Sequence, residues 1–391
     1  MVKCIILLKA KLYSMDNIIP LIYELKSAEI VTNPLFVAPD KKTYEIIKKN
    51  TVLFEGVCFI GGKLIYINRW KNRYLRLVHN LFVLRIYLFR RILTVAIGAE
   101  SKLISLLKSF NKKIWRGKTV LTLISNFPLK QAKNHRMMYR IILGAYEKRE
   151  KDIRGNDLIL SSYTKEQYEE IHNVKMITDC PIIRVGYTRG LKEWQKYLEK
   201  NASKYIHKYI TTPYIFYPLS QLGNGIRGED CPPAIEILTE AIHVLKNYKN
   251  KFLTVFKPHP TTDVDKLKAL LNSTDFKNYV ISYIHPVILI KNARFIFCNT
   301  VSTLLIEAYF HGCPTVEYTH YDSRVYKFTN GQPLYLNCVD YFIHRDKQQL
   351  KQVLDKLVYN DIRVERDPKK IKEDFSILTS REIKEKFNCL V

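Results

Sequence analysis

Short apolar runs alternate along this chain with stretches whose apolar residues recur at helical spacing. Residues 4–8 are apolar, residues 16–25 have helical spacing, and residues 34–37 are apolar again before Pro39-Asp40, which predicts an opening strand, helix and strand. Runs at 57–60, 119–124, 158–160 and 182–185 predict further strands, with helical or polar segments between them. The stretch from Gly186-Tyr187-Thr188-Arg189-Gly190 through the lysine-rich residues 200–208 reads as a hinge. A second alternating set follows, with strands at 214–217, 252–256, 279–281, 295–298 and 314–317, and helices at 233–245, 263–271, 286–291 and 303–310.

Strands that alternate with helices predict parallel, doubly wound sheets. At 391 residues the chain is too long for one ordinary core. The expected fold is therefore α/β, with two Rossmann-like doubly wound domains facing a cleft. The expected boundaries are 1–208 for the N-terminal domain, 209–365 for the C-terminal domain and 366–391 for a charged helical segment.

Composition narrows the class. With 47% hydrophobic and 26% charged residues, the chain is neither a disordered tail nor a fibrous protein. The eight cysteines are scattered, with no CxxC pair and no metal-ligand spacing to a histidine, which points to a reducing compartment. No small-residue cleavage site follows the first apolar run, so no export is expected and the localisation is read as cytoplasmic.

The net charge of +26 is unevenly placed. Residues 56–146 hold eighteen Lys and Arg against one acid, Glu100. Within this region the segment 63–118 is basic and amphipathic, mixing Leu75, Leu81, Phe82 and Ile86 with Arg73, Arg76, Arg85, Arg90 and Arg91. Its uncharged runs are far shorter than the roughly 20 residues that cross a bilayer. Two readings stand: a helix at an anionic membrane surface through 69–118, peripheral on the inner face, or a core-packing helix with a solvated basic face.

Candidate chemistry concentrates in the second half. Lys257-Pro258-His259-Pro260 directly follows an apolar strand, where α/β domains bind ligands, and its prolines hold the imidazole in a stiff extended turn. Another apolar strand runs into Asn299-Thr300-Val301-Ser302-Thr303 and then a helix. Free backbone N–H groups and the helix dipole at such a terminus favour a phosphate. Glu307 lies on the same helix, placed to accept from ribose hydroxyls.

Lys257-Pro258-His259-Pro260 combined with the run Asn299 to Pro314 resembles the C-terminal domain of GT-B glycosyltransferases of bacterial capsule and lipopolysaccharide synthesis. Bacterial sialyl-, polysialyl- and Kdo-transferases have similar HP and Ser/Thr motifs, which bind the nucleotide of a CMP-activated sugar. The likeness covers about residues 212–345 in motif and the whole chain in strand-helix rhythm. It implies that His259 contacts the donor phosphate, that Ser302 and Thr303 contact phosphate or ribose, and that Glu307 serves the ribose of UDP-sugars. Lys257, Asn299 and Thr300 complete the expected donor set. The sialyltransferase pattern also has paired acids followed by glycine in the N-terminal domain, and this sequence has none there. The donor thus stays open between a CMP-sialic acid or Kdo-like sugar and a UDP-sugar, which is substrate rather than cofactor.

For the catalytic base the candidates are His135, just after the strand at 119–124, and the acidic pair Glu229 and Asp230. Arg184, Tyr187 and Arg189 are candidates for holding an anionic donor or acceptor. Asp263-Val264-Asp265 matches a DxD metal motif but reads better as acids in a first helical turn, and no metal is expected. The predicted activity is transfer of a sugar to a growing or lipid-linked surface glycan. The alternatives are a UDP-sugar 2-epimerase, a polyol-phosphate transferase and a nucleic-acid-binding protein. The last is suggested by aromatics among the arginines, but no RNA-binding motif accompanies them.

Overall fold

The structure is a computed structural model that describes residues 2–8, 13–66, 92–96, 118–125, 127–144, 149–206, 210, 212–219, 230–259, 262–360 and 364–387. Most of the basic segment 63–118, together with Glu229, lies outside the described residues. The chain divides into two compact units. The first comprises Met1–Leu129, Lys148–Tyr197 and Lys372–Val391, and the second comprises Lys130–Glu147 and Leu198–Ile371.

The first unit holds a seven-stranded sheet built from β1 (Val2–Leu7), β2 (Val31–Ala38), β3 (Lys63–Tyr66), β4 (Ile92–Ala96), β5 (Thr119–Leu123), β7 (Leu158–Ser161) and β9 (Ile182–Arg184). β6 (Arg149–Asp152) and β8 (Val174–Ile177) form a separate parallel pair. The order in the large sheet is β3-β2-β1-β4-β5-β7-β9, and every pairing is parallel. Around it lie α1 (Tyr13–Ser27), α2 (Lys41–Lys49) and α3 (Thr51–Phe59).

Three expectations are corrected here. The run 57–60 is not a strand but lies largely in α3, which Asn50 caps by accepting from Leu53 N at 3.3 Å. Val52, Leu53, Gly56 and Val57 are its buried face, a helical spacing that a four-residue apolar run hides. The basic stretch is not uniformly helical either: Ile92–Ala96 is strand β4, paired with β1 on one side and β5 on the other. The lysine-rich residues at 200–206, read as hinge, continue a helix (Lys192–Ile206), numbered α6 below.

Between these elements, α4 (Leu129–Leu143) groups almost wholly with the second unit, while α5 (Lys165–His172) opens on a capping box between Thr164 and Gln167. The second unit holds β10 (Tyr214–Pro218), β11 (Leu253–Lys257), β12 (Tyr279–Ile281), β13 (Ile296–Cys298), β14 (Thr315–Thr319) and β15 (Tyr341–His344). Its helices are α7 (Ala234–Leu245), α8 (Val264–Ser273), α9 (Pro286–Asn292), α10 (Thr303–Phe310), α11 (Ser323–Phe328) and α12 (Lys347–Tyr359). The sheet order, β12-β11-β10-β13-β14-β15, reads 3-2-1-4-5-6 within the unit, the order of a dinucleotide-binding sheet. One face packs on α7, α8 and α12 through Ile237, Leu238, Leu267, Leu350 and Leu354, all fully buried. Among the described residues no helix is long and apolar enough to cross a membrane.

The chain ends with α13 (Pro368–Phe375) and α14 (Ser380–Phe387). Within the first unit, Ser380 donates to the buried Glu24 at 3.0 Å, and Tyr187 N donates to Phe375 O at 3.2 Å. Gly186 makes this docking feasible. Its φ is +63°, and a Cβ there would lie 1.8 Å from the Ser376 carbonyl oxygen. Gly186→Ala is expected to lower stability to urea by about 2 kcal/mol or more, combining left-handed strain with a backbone clash. A loss under about 0.5 kcal/mol would show that residues 372–387 do not dock as described.

Candidate functional site

In the second sheet β10 lies between β11 and β13, with Tyr217 paired to Phe256 and Phe216 to Ile296. The segments following β11 and β13 therefore emerge at the same carboxyl edge, one on each side of β10. Lys257 ends β11 and is half-buried, Pro258 is buried, and His259 stands exposed. Partial burial lowers the His259 pKa below its ordinary value, so at neutral pH the imidazole is uncharged and the fixed cation of this turn is Lys257. His259 O accepts from Thr262 N at 2.8 Å, which closes the turn. Asp263 caps α8 by accepting from Asp265 N and Lys266 N, both at 3.1 Å, and so both acids of the DxD triplet sit at a helix start.

On the other side of β10, Ser302 caps α10 by accepting from Leu304 N at 3.2 Å. Thr300, Val301, Ser302 and Thr303 are half-buried, whereas Asn299 is fully buried. Neither polar atom of the Asn299 side chain has a hydrogen-bond partner among the described residues. Glu307 is 2% exposed and faces His311 at 3.9 Å. Burial, then Lys291 and His285, push the His311 pKa down to about 3, so this contact is not a salt bridge. Glu307 is thus a buried helix carboxylate rather than an open one.

The remaining candidates have internal occupations. His135, on α4, lies with Nδ1 2.8 Å from the Tyr335 hydroxyl, while neighbouring Asn134 donates to Leu334 O at 2.9 Å. Burial and Arg136 lower the His135 pKa to about 4. Asp230 accepts from Ser323 N at 2.8 Å and so ties its loop to the start of α11. In the first unit, Arg184 donates to Ser376 Oγ at 2.6 Å, Tyr187 packs edge-on against Phe375, and Arg189 is 7% exposed.

Two features escaped the sequence reading. Glu317, in the middle of β14, is fully buried beside Cys298, its register partner on β13. Its Oε1 accepts from the Tyr321 hydroxyl at 2.9 Å, Oε2 has no partner among the described residues, and burial raises its pKa to about 7. The signal was an acid inside an otherwise buried strand run. The second feature is Gly223-Asn224-Gly225-Ile226-Arg227-Gly228, between β10 and α7, which has the spacing of a phosphate-binding glycine turn and lies outside the described residues.

No protein family matches the sequence by its profile. No curated protein matches it either. Solved structures do resemble the fold. The UDP-N-acetylglucosamine 2-epimerase from Rickettsia bellii matches all of this chain over 96% of its own, at 12% identity and a TM-score of 0.50. A protein assigned as UDP-N-acetylglucosamine 2-epimerase from Listeria monocytogenes matches 96% of this chain over 90% of its own, also at 12% and 0.50. A ugt transferase from Siraitia grosvenorii, solved with UDP, matches 99% of each chain at 8% identity and a TM-score of 0.48. Identity this low speaks to fold alone. The fold is α/β of the GT-B kind, two Rossmann-like units each built on a parallel sheet.

Glu317 makes the site's pH behaviour testable. Its pKa is raised from the ordinary 4.5 to about 7, so the stability of the neutral acid is complete below 4.5 and is lost as pH rises through 7. Ionising it in place costs about 3 kcal/mol at pH 8 and above. Glu317→Gln mimics the neutral acid and is expected to gain in melting temperature over the unmodified chain progressively from pH 5 to 8.5. A difference that stays constant across that range would contradict the assignment.

Proposed function

We propose that the chain is a glycosyltransferase that binds a nucleotide-sugar at the carboxyl edge of its second sheet, across β10. The observation that carries this reading is the placement of two anion-competent segments on either side of the strand at which the sheet order reverses. The phosphates lie against the α10 N-terminus, where Ser302, Thr303 and Thr300 are half-buried, and Lys257 supplies the nearby charge. His259 donates to a phosphate oxygen as a neutral imidazole. Asn299 and Glu307, both buried, lie beneath the loop and helix that touch the nucleotide.

When the bond from the anomeric carbon to the phosphate breaks, negative charge grows on the departing phosphate. Donors already oriented at a helix terminus stabilise that charge without reorganising. The donor is a CMP-sialic acid or Kdo-like sugar or a UDP-sugar. The acceptor is a growing or lipid-linked surface glycan, and the basic segment 69–118 holds the protein at an anionic membrane surface. A UDP-sugar 2-epimerase is the second reading, favoured by the whole-chain fold likeness to two proteins bearing that assignment. It predicts interconversion of a free UDP-sugar with no acceptor needed.

A melting screen with CMP, CDP, UDP and GDP tests the site. One nucleotide at a hundred times its Kd should stabilise the chain by about 2.7 kcal/mol. Lys257→Ala is expected to weaken that binding at least about tenfold, as loss of a charge-assisted phosphate contact does. Absence of any nucleotide shift, or a Lys257→Ala response equal to the unmodified chain, would count against the reading.

A further inference from the structure

The opposite edge of the second sheet, where its strands begin, holds a cavity that the donor site does not use. It measures about 530 Å³, within the size range of small-molecule sites. Its walls include the residues that lead into two adjacent strands, Ala293 and Arg294 before β13 and Cys313 and Pro314 before β14. The last turns of α9, α10 and α12 close around them. Gly312 ends α10 at a φ of +69°, with Cys313 N donating to Ala308 O at 2.9 Å. A Cβ placed on Gly312 would meet nothing within 4 Å, so this turn borders open space.

Two cations line the cavity, and they are differently engaged. Lys291 donates to Glu199 Oε1 at 2.8 Å, within the same unit, so its charge is matched. Arg294 donates through Nε to Leu357 O at 3.0 Å and through Nη2 to Asn360 O at 3.4 Å, which caps the end of α12. Its Nη1 has no partner among the described residues, so the guanidinium is anchored on one side and left with donors for an oxyanion on the other. Glu365, the acid lining the cavity, is exposed, and water screens its charge. The buried Ile290, Pro314 and Leu357 supply an apolar wall. Burial pushes the Cys313 thiol up to about 12 and, with Lys291 and His285, pushes His311 down to about 3. Neither exchanges a proton near neutrality, so the cavity has the chemistry of a binding site and not of a reactive one. A single uncompensated cation beside an apolar wall suits a monoanion better than a phosphate dianion.

We propose that this cavity binds a small monocarboxylate with an apolar tail, the carboxylate on Arg294 and the tail against Ile290, Pro314 and Leu357. The helix carbonyl ends that meet here favour positive charge, and Lys291 and Arg294 already answer that preference, which leaves the ligand to answer Arg294. The cavity lies at the other end of the strands from Lys257 and Ser302. The assignment therefore stands whether or not the chain transfers sugars.

Titration of the full chain with octanoate tests this. One equivalent should bind with a Kd on the order of 1 mM, as expected of a ligand with about ten heavy atoms. Acetate, which lacks the tail, and octylamine, which reverses the charge, should each bind at least about tenfold more weakly. Arg294→Gln should weaken octanoate at least about tenfold. Because that change also removes the cap on α12, Ala293→Leu serves as a second variant: it keeps Arg294, fills the cavity and should weaken octanoate by a similar factor. In hydrogen exchange, bound octanoate should slow amides within 290–294 and 311–315 and leave 257–263 unchanged. Undiminished affinity in either variant, tighter binding of octylamine than of octanoate, or no octanoate bound at about 10 mM overturns the assignment.

Discussion

A parallel sheet whose strand order reverses has one place at its carboxyl edge that no crossover covers, and the second unit is organised around that constraint. Right-handed connections send α7 and α8 to the face that also holds α12, through Leu238, Leu267 and Leu354. α9 and α10 pack on one another and contribute nothing to that apolar cluster. β10 is the strand at which the connections change face, so the segments after β11 and β13 emerge on either side of it. Lys257-Pro258-His259 and Asn299 to Thr303 stand where they do because of this topology, and their chemistry follows from their position.

The polar groups behind that edge carry a cost. A buried donor or acceptor without a partner loses about 1–3 kcal/mol, and a fully buried acid pays further when it ionises. Asn299 and Glu317 both lie in this region, on the loop after β13 and on the adjacent strand β14. Glu317 is linked through the Tyr321 hydroxyl to Leu334 N at 3.0 Å, and Tyr335, the next residue, meets His135 on α4. This region of the sheet is thus backed by a polar layer that reaches α4, where a purely apolar core would be more stable. That arrangement suits a site whose supporting loops must be held in one conformation.

Much of the fold was legible because buried parallel strands are short apolar runs punctuated by Gly and Pro. Tyr214–Pro218, Leu253–Lys257 and Thr315–Thr319 were read within a residue or two. Legibility failed where a run was too short to show its period: residues 57–60 satisfy a strand and a buried helix equally, and the Asn50 cap that decides was overlooked. It failed again for Ile92–Ala96, where flanking arginines masked a central strand. The positions of Lys257, His259 and Ser302 at strand ends follow from local pattern. The partners of Arg189 and Glu317 do not, because Arg189 meets Asp16 across 173 residues of chain and Glu317 hides a titratable group in a strand whose other residues are ordinary.

The central claim is that a nucleotide-sugar binds across β10, and hydrogen exchange read peptide by peptide tests it most directly. With saturating UDP-N-acetylglucosamine or CMP-N-acetylneuraminic acid, amides in 257–263 and 299–305 should slow together, as a ligand bridging both loops requires. Slowing confined to the first unit, or to only one of the two loops, would contradict the account.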